Sequence, residues 1–182
     1  MSLAQLLSSH YTNKNRGKNH RQIVLPQGAA GAVACRGVQC AVGGALTYGA
    51  WVDVALPALI TTDMLVVGVV LDTPSVNLAA DVTTVEIGST LCTVAGVTTN
   101  YANAAAVNAA GAPTIAAAWR AELRFEVASD AGLFHPATME YPVLVPQGTG
   151  ILARVYDVND VGNHDSVYVS VLLVHDFEGR LT

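Results

Sequence analysis

Two histidine–aspartate neighbours, His164-Asp165 and His175-Asp176, with Ser129 and Ser166 close to them in sequence, are the residues here whose types suit acyl transfer. Such chemistry needs a serine within hydrogen-bond reach of a base and a carboxylate that orients the base. Adjacent residues on a strand point to opposite faces, so neither His-Asp pair is itself a hydrogen-bonded dyad. No Gly-x-Ser-x-Gly elbow is present to present a strained nucleophile. Both histidines are therefore read as loop or rim residues, and no enzymatic activity is expected.

The run from Asp157 through Asn159, Asp160, Gly162 and Asn163 to Asp165 is the densest in oxygen ligands. A helix-loop-helix calcium loop places oxygen ligands at positions 1, 3 and 5, glycine at 6 and a bidentate glutamate at 12. Asp157, Asn159 and Gly162 fit, but Val161 stands at the fifth place and Tyr168 at the twelfth. A polar connection between strands explains the same residues, because Asp and Asn bond their own backbone in turns. Three cysteines, Cys35, Cys40 and Cys92, lack the second close pair that a zinc site needs. Buried free thiols in a reducing compartment are expected, with no metal and no cofactor.

Charge is segregated along the chain. The five basic residues Lys14, Arg16, Lys18, Arg21 and Arg36 precede Asp53 without a single acid among them, a formal +5 over residues 1–52. From Asp53 onward fourteen acids face four arginines and no lysine, leaving −10. A segregated basic tail touches something else: an acidic partner, a nucleic acid or a neighbouring copy. Residues 2–9 suit a short amphipathic turn with Leu3, Leu6 and Leu7 on one side, and residues 10–22 hold no aliphatic side chain. They read as a solvated arm that orders on contact. Phosphate contacts from Lys14, Arg16, Lys18 and Arg21 would give salt-sensitive, sequence-blind attraction, with Tyr11 to stack on a base. The acidic remainder repels a duplex, so the arm is expected to dock on acidic protein surface instead, such as the body of the next subunit.

Only 13% of residues are charged, about half the usual share, while 52% are hydrophobic. So charge-poor an exterior implies burial against other subunits. Trp51, Trp119 and six tyrosines are scattered, and core filling explains them better than a sugar-binding surface. The most apolar run, Met64 to Leu71, is far below the roughly 20 residues of a bilayer span. Leu3 to Leu7 is too short for a signal-peptide core, and the basic residues follow it. No membrane role is expected.

After Gln22 the texture is that of strands. Arg120, Glu122, Arg124 and Glu126 alternate with Ala121, Leu123, Phe125 and Val127, marking one wet and one buried face. Charges on the wet face should pair with adjoining strands for a few tenths of a kcal/mol each. Further strands are expected over 32–42, 46–56, 64–71, 82–87, 90–98, 141–145, 150–158 and 166–177. The last is apolar on both faces, so it should be central and covered on both sides. Residues 101–118 carry ten alanines. A short helix that Gly111 and Pro113 stop by residue 110 is preferred there to an extended loop. The fold class expected is all-β, an antiparallel β-sandwich or jelly roll (residues 23–182) with an extended basic N-terminal arm (residues 1–22).

The run from Asn13 to Lys18, the Ala/Val/Thr/Gly-rich body and the strand-rich end from Val167 to Val174 together resemble virion structural proteins of tailed bacteriophages, of the capsid decoration or cement type. The resemblance implies a jelly-roll-like homo-oligomer, often a trimer. It would assemble in the host cytoplasm onto the capsid exterior and reinforce junctions of the major capsid protein. It carries no catalytic residues. Binding only the assembled lattice, such a protein adds free energy that disassembly must overcome. The alternative is a receptor- or glycan-binding β-sandwich module of a phage head or tail fibre, which exposed, clustered Trp and Tyr would favour.

Overall fold

The computed structural model describes residues 33–34, 37–43, 47–72, 81–127, 134–157 and 166–175. The arm residues Leu3, Leu6, Leu7, Tyr11, Lys14, Arg16, Lys18 and Arg21 lie outside them, as do Cys35, Ser129, His164, Asp165 and Asp176.

The described residues are all-β, with eleven strands and one short α-helix. The strands are β1 (Val33–Ala34), β2 (Val38–Gly43), β3 (Val52–Ala55), β4 (Met64–Asp72), β5 (Asp81–Ser89), β6 (Leu91–Val94), β7 (Val97–Asn100), β8 (Ala121–Val127), β9 (Phe134–Val145), β10 (Ile151–Asp157) and β11 (Ser166–His175). Helix α1 spans Ala104–Ala109. Nine strands form one sheet in the order β8-β5-β10-β2-β11-β4-β9, with β1 on β11 and β3 on β10, while β6 and β7 pair separately. The end strands β8 and β9 approach each other, so the sheet nearly closes.

The pairing is mixed. β2 and β10 run parallel through Val42↔Val155 and Gly43↔Tyr156, where an antiparallel sheet was expected. The expected strand 32–42 is two pieces on β11: Val33 pairs Leu173 and Val38 pairs Val169, a one-residue register shift. Of the expected strand 46–56, only Val52–Ala55 pairs as one. Residues 47–50 instead form a strap in which Gly49 N–H donates to the Val155 carbonyl at 3.0 Å. Close approach requires the glycines here, since a Cβ on Gly43 would stand 1.8 Å from the Thr47 carbonyl oxygen.

The inner face holds one apolar core. Val85 and Ile87 of β5, Val155 of β10, Phe125 of β8, Val143 of β9 and the Val167, Val169, Val171, Leu173 series of β11 are all buried there. β4 keeps both ends in this core because its register shifts between Val66 and Gly68, so Met64 and Val66, then Val69 and Leu71, all point inward. β11 is central in the ladder, as expected, but its second face is only half covered, with Tyr168 37% exposed. β8 alternates as its sequence indicates, with Glu122 and Arg124 exposed and Phe125 buried.

A second, smaller core lies on the outer face and joins Trp51, Cys92, Ala104, Val107, Ile115 and Leu152. Gly88 makes room for it: a Cβ there would come 2.5 Å from Ile115 Cδ1 and 2.8 Å from the Trp51 ring. The alanine-rich segment is this core's lid. Asn103 caps α1 by accepting from Ala106 N–H at 2.9 Å, and Asp53 of β3 accepts from Ala104 N–H at 2.7 Å. Gly111, at φ +104°, ends the helical run where expected.

Candidate functional site: an ion-pair clasp on the outer face

Cross-strand register aligns Glu122 of β8, Glu86 of β5 and Arg154 of β10 in one row on the outer face. Arg120 enters from the residue that follows the 3-10 turn Ala117–Trp119. Glu86 is 1% exposed, yet each of its carboxylate oxygens meets a guanidinium. Arg154 Nε and Nη2 both lie 2.5 Å from Oε2, and Arg120 Nε lies 2.5 Å from Oε1. Glu122 stands 3.8 Å from Arg120 and accepts a 2.8 Å hydrogen bond from the Tyr48 hydroxyl. A carboxylate this deep is tolerated only when its lone pairs are filled, and two arginine forks fill them.

Aromatic rings complete the enclosure. The Arg154 guanidinium lies 4.2 Å from the Tyr48 ring centroid and 4.2 Å from that of Trp51. Such stacking suits the planar, weakly hydrated guanidinium. Tyr156 meets Tyr48 edge to face, centroids 4.6 Å apart at 88°. Asn108 of α1 fastens the strap's end by accepting from Trp51 N–H at 3.0 Å and donating to the Trp51 carbonyl at 2.9 Å. Burial pushes the Tyr48 phenol well above its ordinary pKa, and its bond to Glu122 and the charge on Glu86 add to the rise.

Chemically, the arrangement is a clasp. It ties β8, β5, β10 and the strap together through charges that compensate one another at close range. Two buried side-chain atoms on this side, Trp51 Nε1 and Thr84 Oγ1, have no hydrogen-bond partner.

The residues singled out from sequence fall elsewhere. Asp157 closes β10 at 5% exposure and accepts from the Thr83 hydroxyl at 2.8 Å, on the inner face. The rest of the Asp157–Asp165 run lies outside the described residues, as do both partners of the His164-Asp165 pair. His175 ends β11 and pairs Met64 in register. Among the described residues, no group of three or more His, Cys, Asp or Glu could hold a metal ion. Cys40 and Cys92 are buried free thiols, and burial pushes the Cys40 thiol up to about 12. Trp51 is buried and Trp119 packs half-buried against the outer core, so the tryptophans fill space as expected.

Sequence reasoning missed the clasp. A faint signal existed: Glu86 and Arg154 are the only charges in the interiors of their strands, within Thr-Thr-Val-Glu-Ile and Leu-Ala-Arg-Val-Tyr, in a chain poor in charge. No helix among the described residues is long and apolar enough to cross a membrane. No protein-family model matches the chain, and no curated protein sequence matches it.

Proposed function

We propose that this chain is a non-enzymatic structural subunit of a virion, a decoration or cement protein of the tailed-bacteriophage type. It binds the outside of an assembled shell, reinforces contacts of the major capsid protein, and oligomerises, with a trimer favoured. In this reading the β body is a jelly-roll-like sandwich and residues 1–22 are its docking arm. The observation that carries the reading is the charge pattern: an acid-free basic segment over residues 1–52 joined to an acidic remainder. A flexible basic segment docking on an acidic surface covers a large area, with its ordering cost offset on contact.

The clasp supports the reading in a second way. It consumes four charges in mutual contact and cross-links three strands, which stiffens the sheet that would face neighbours. The burial of Trp51 favours this over the glycan-binding alternative, which wants its aromatic rings at the surface.

The test is light scattering on the full-length chain and on a variant with Lys14→Glu, Arg16→Glu, Lys18→Glu and Arg21→Glu. The proposal expects a discrete oligomer for the natural chain, and a smaller species of unchanged β circular dichroism for the variant. An unchanged mass in the variant would remove the arm from the account.

A further inference from the structure

The separate hairpin β6–β7 ends in an edge that no described residue covers. β7 pairs only with β6, and all four of its residues, Val97, Thr98, Thr99 and Asn100, are exposed. The direction of its free peptide groups follows from the other side of the hairpin. Thr93 exchanges two backbone hydrogen bonds with Thr114, at 2.8 and 2.9 Å, so its peptide groups point away from β7. Thr98 is its partner in register, and in an antiparallel ladder its peptide groups must then point away from β6. Alternation gives Asn100 the same direction. Consistently, Leu91 opposite Asn100 gives its N–H to the Ser89 hydroxyl at 3.0 Å.

Natural edges are blunted by lysine, proline, bulges or inward charges, because an unpaired edge is a template for another strand. Apart from its shortness at four residues, which itself blunts an edge, β7 has none of these devices. It is uncharged, regular and β-branched at three of its four positions. We infer that β7 is a docking edge for β7 of a second copy of this chain, paired antiparallel about a two-fold axis at Thr99.

The register is decided by the geometry. Centring on Thr99 sets Thr98 opposite Asn100 of the second copy, and the reverse, so both outward-facing residues of each strand are used and four hydrogen bonds form. Centring on Thr98 would instead set Asn100 against Gly96 in the turn. At the axis Thr99 faces its own counterpart in a non-hydrogen-bonded pair, about 4.5 Å apart at Cα, where paired threonines are favourable. A second copy is the occupant favoured because the strand is self-complementary in this register and carries no charge to repel itself. One four-residue strand pair is small beside the roughly 1,200 Å² of a stable interface, so this contact is weak alone and adds to others. It does not rest on the proposed virion role. A two-fold contact doubles whatever unit the arm produces.

The experiment is sedimentation velocity over a concentration series on the full-length chain, with Thr99→Lys and Thr98→Pro variants. Amide hydrogen exchange is followed at Thr98 and Asn100. Lysines facing each other at the axis repel, and proline removes an outward N–H that β6 does not use. The expected result is a doubling of mass with concentration, slowed exchange at both amides, and at least about tenfold weaker doubling in each variant with circular dichroism unchanged. Doubling that persists equally in Thr99→Lys would overturn the inference. So would its absence, with unprotected Thr98 and Asn100 amides, at the highest concentration reached. Capture of a foreign strand would show as protection of these amides without doubling, and would also overturn it. If the arm reading alone fails, the series runs from monomer to dimer. If the edge reading alone fails, a fixed oligomer persists in all three proteins.

Discussion

Glu86 and Arg154 face each other directly across the β5–β10 ladder, and the guanidinium makes two 2.5 Å contacts to one carboxylate oxygen. Because Glu86 is 1% exposed, its removal would leave Arg154 between two rings without a counter-ion. Glu86→Ala is expected to cost at most about 3–5 kcal/mol, the range for breaking a buried ion pair, since the 26% of the Arg154 side chain that reaches solvent offsets part of the loss. Arg120, whose side chain is 44% exposed, can turn to solvent and adds little. Replacing both partners at once, Glu86→Leu with Arg154→Met, should recover most of the loss, since apolar replacements of matched volume are often neutral. Urea denaturation of the single and double variants checks this, and a double variant as unstable as Glu86→Ala would contradict it.

Gly88 is the contact point between the sheet and the outer core. Gly88→Ala forces its methyl against Ile115 and the Trp51 ring. Neither neighbour has free room, so a loss of about 1–3 kcal/mol is expected, the usual cost of overpacking. Tryptophan fluorescence should report a disturbed Trp51 while far-ultraviolet circular dichroism stays constant. A fully native emission spectrum with unchanged stability would show the two layers to be less tightly apposed.

Ala95 adopts φ +49° at the first central position of the β6–β7 turn, followed by Gly96 at φ +82°. Two-residue hairpins with positive φ at both positions favour Asn-Gly. Ala95→Asn should therefore stabilise the chain by up to about 1 kcal/mol, because asparagine keeps the Cβ but its amide bonds the local backbone and so tolerates the left-handed region better than alanine. A thermal melt suffices, and a lowered midpoint would count against the turn.

Alkaline pH should weaken the fold in a defined window. Burial raises the Cys40 thiol from 9.0 to about 12 and also raises Cys92, so the folded chain favours their protonated forms. The unfolded chain releases these protons from about pH 9, which makes stability complete below that pH and lost as pH climbs towards 12. For Cys40 the slope approaches about 1.4 kcal/mol per pH unit. Tyr48 adds to the decline above its ordinary range near pH 10, in the same direction. Urea midpoints measured at intervals from pH 8 to 11 should fall, and Cys40→Ala should flatten the fall. Equal slopes in the two proteins would exclude the thiol as the cause.

Particular residues show where the sequence was legible. The alternation from Arg120 to Val127 revealed β8 and its faces because period two is imposed by the pleat itself. Gly111 revealed the end of α1 for an equally local reason. The turn at Ala95-Gly96 escaped notice because alanine rarely takes positive φ, so 90–98 read as one strand. The parallel contact of β2 with β10 and the strap at 47–50 depend on which strands become neighbours, which no window of sequence contains. The clasp escaped for the same reason: Glu86 and Arg154 are aligned by cross-strand register, and Tyr48 and Arg120 are brought to them by the strap and by the end of the 3-10 turn. Arg120 and Glu122 were expected to make surface pairs worth a few tenths of a kcal/mol, and the depth of Glu86 is what raises the stakes.

The central claim is that this chain works by association, and the most direct test is the solution mass of the full-length protein by light scattering on a size-exclusion column. The account predicts a discrete oligomer, a trimer or a doubled trimer according to concentration. A monomer at every concentration would contradict it, because neither the basic arm nor the β7 edge would then recognise another copy of the chain.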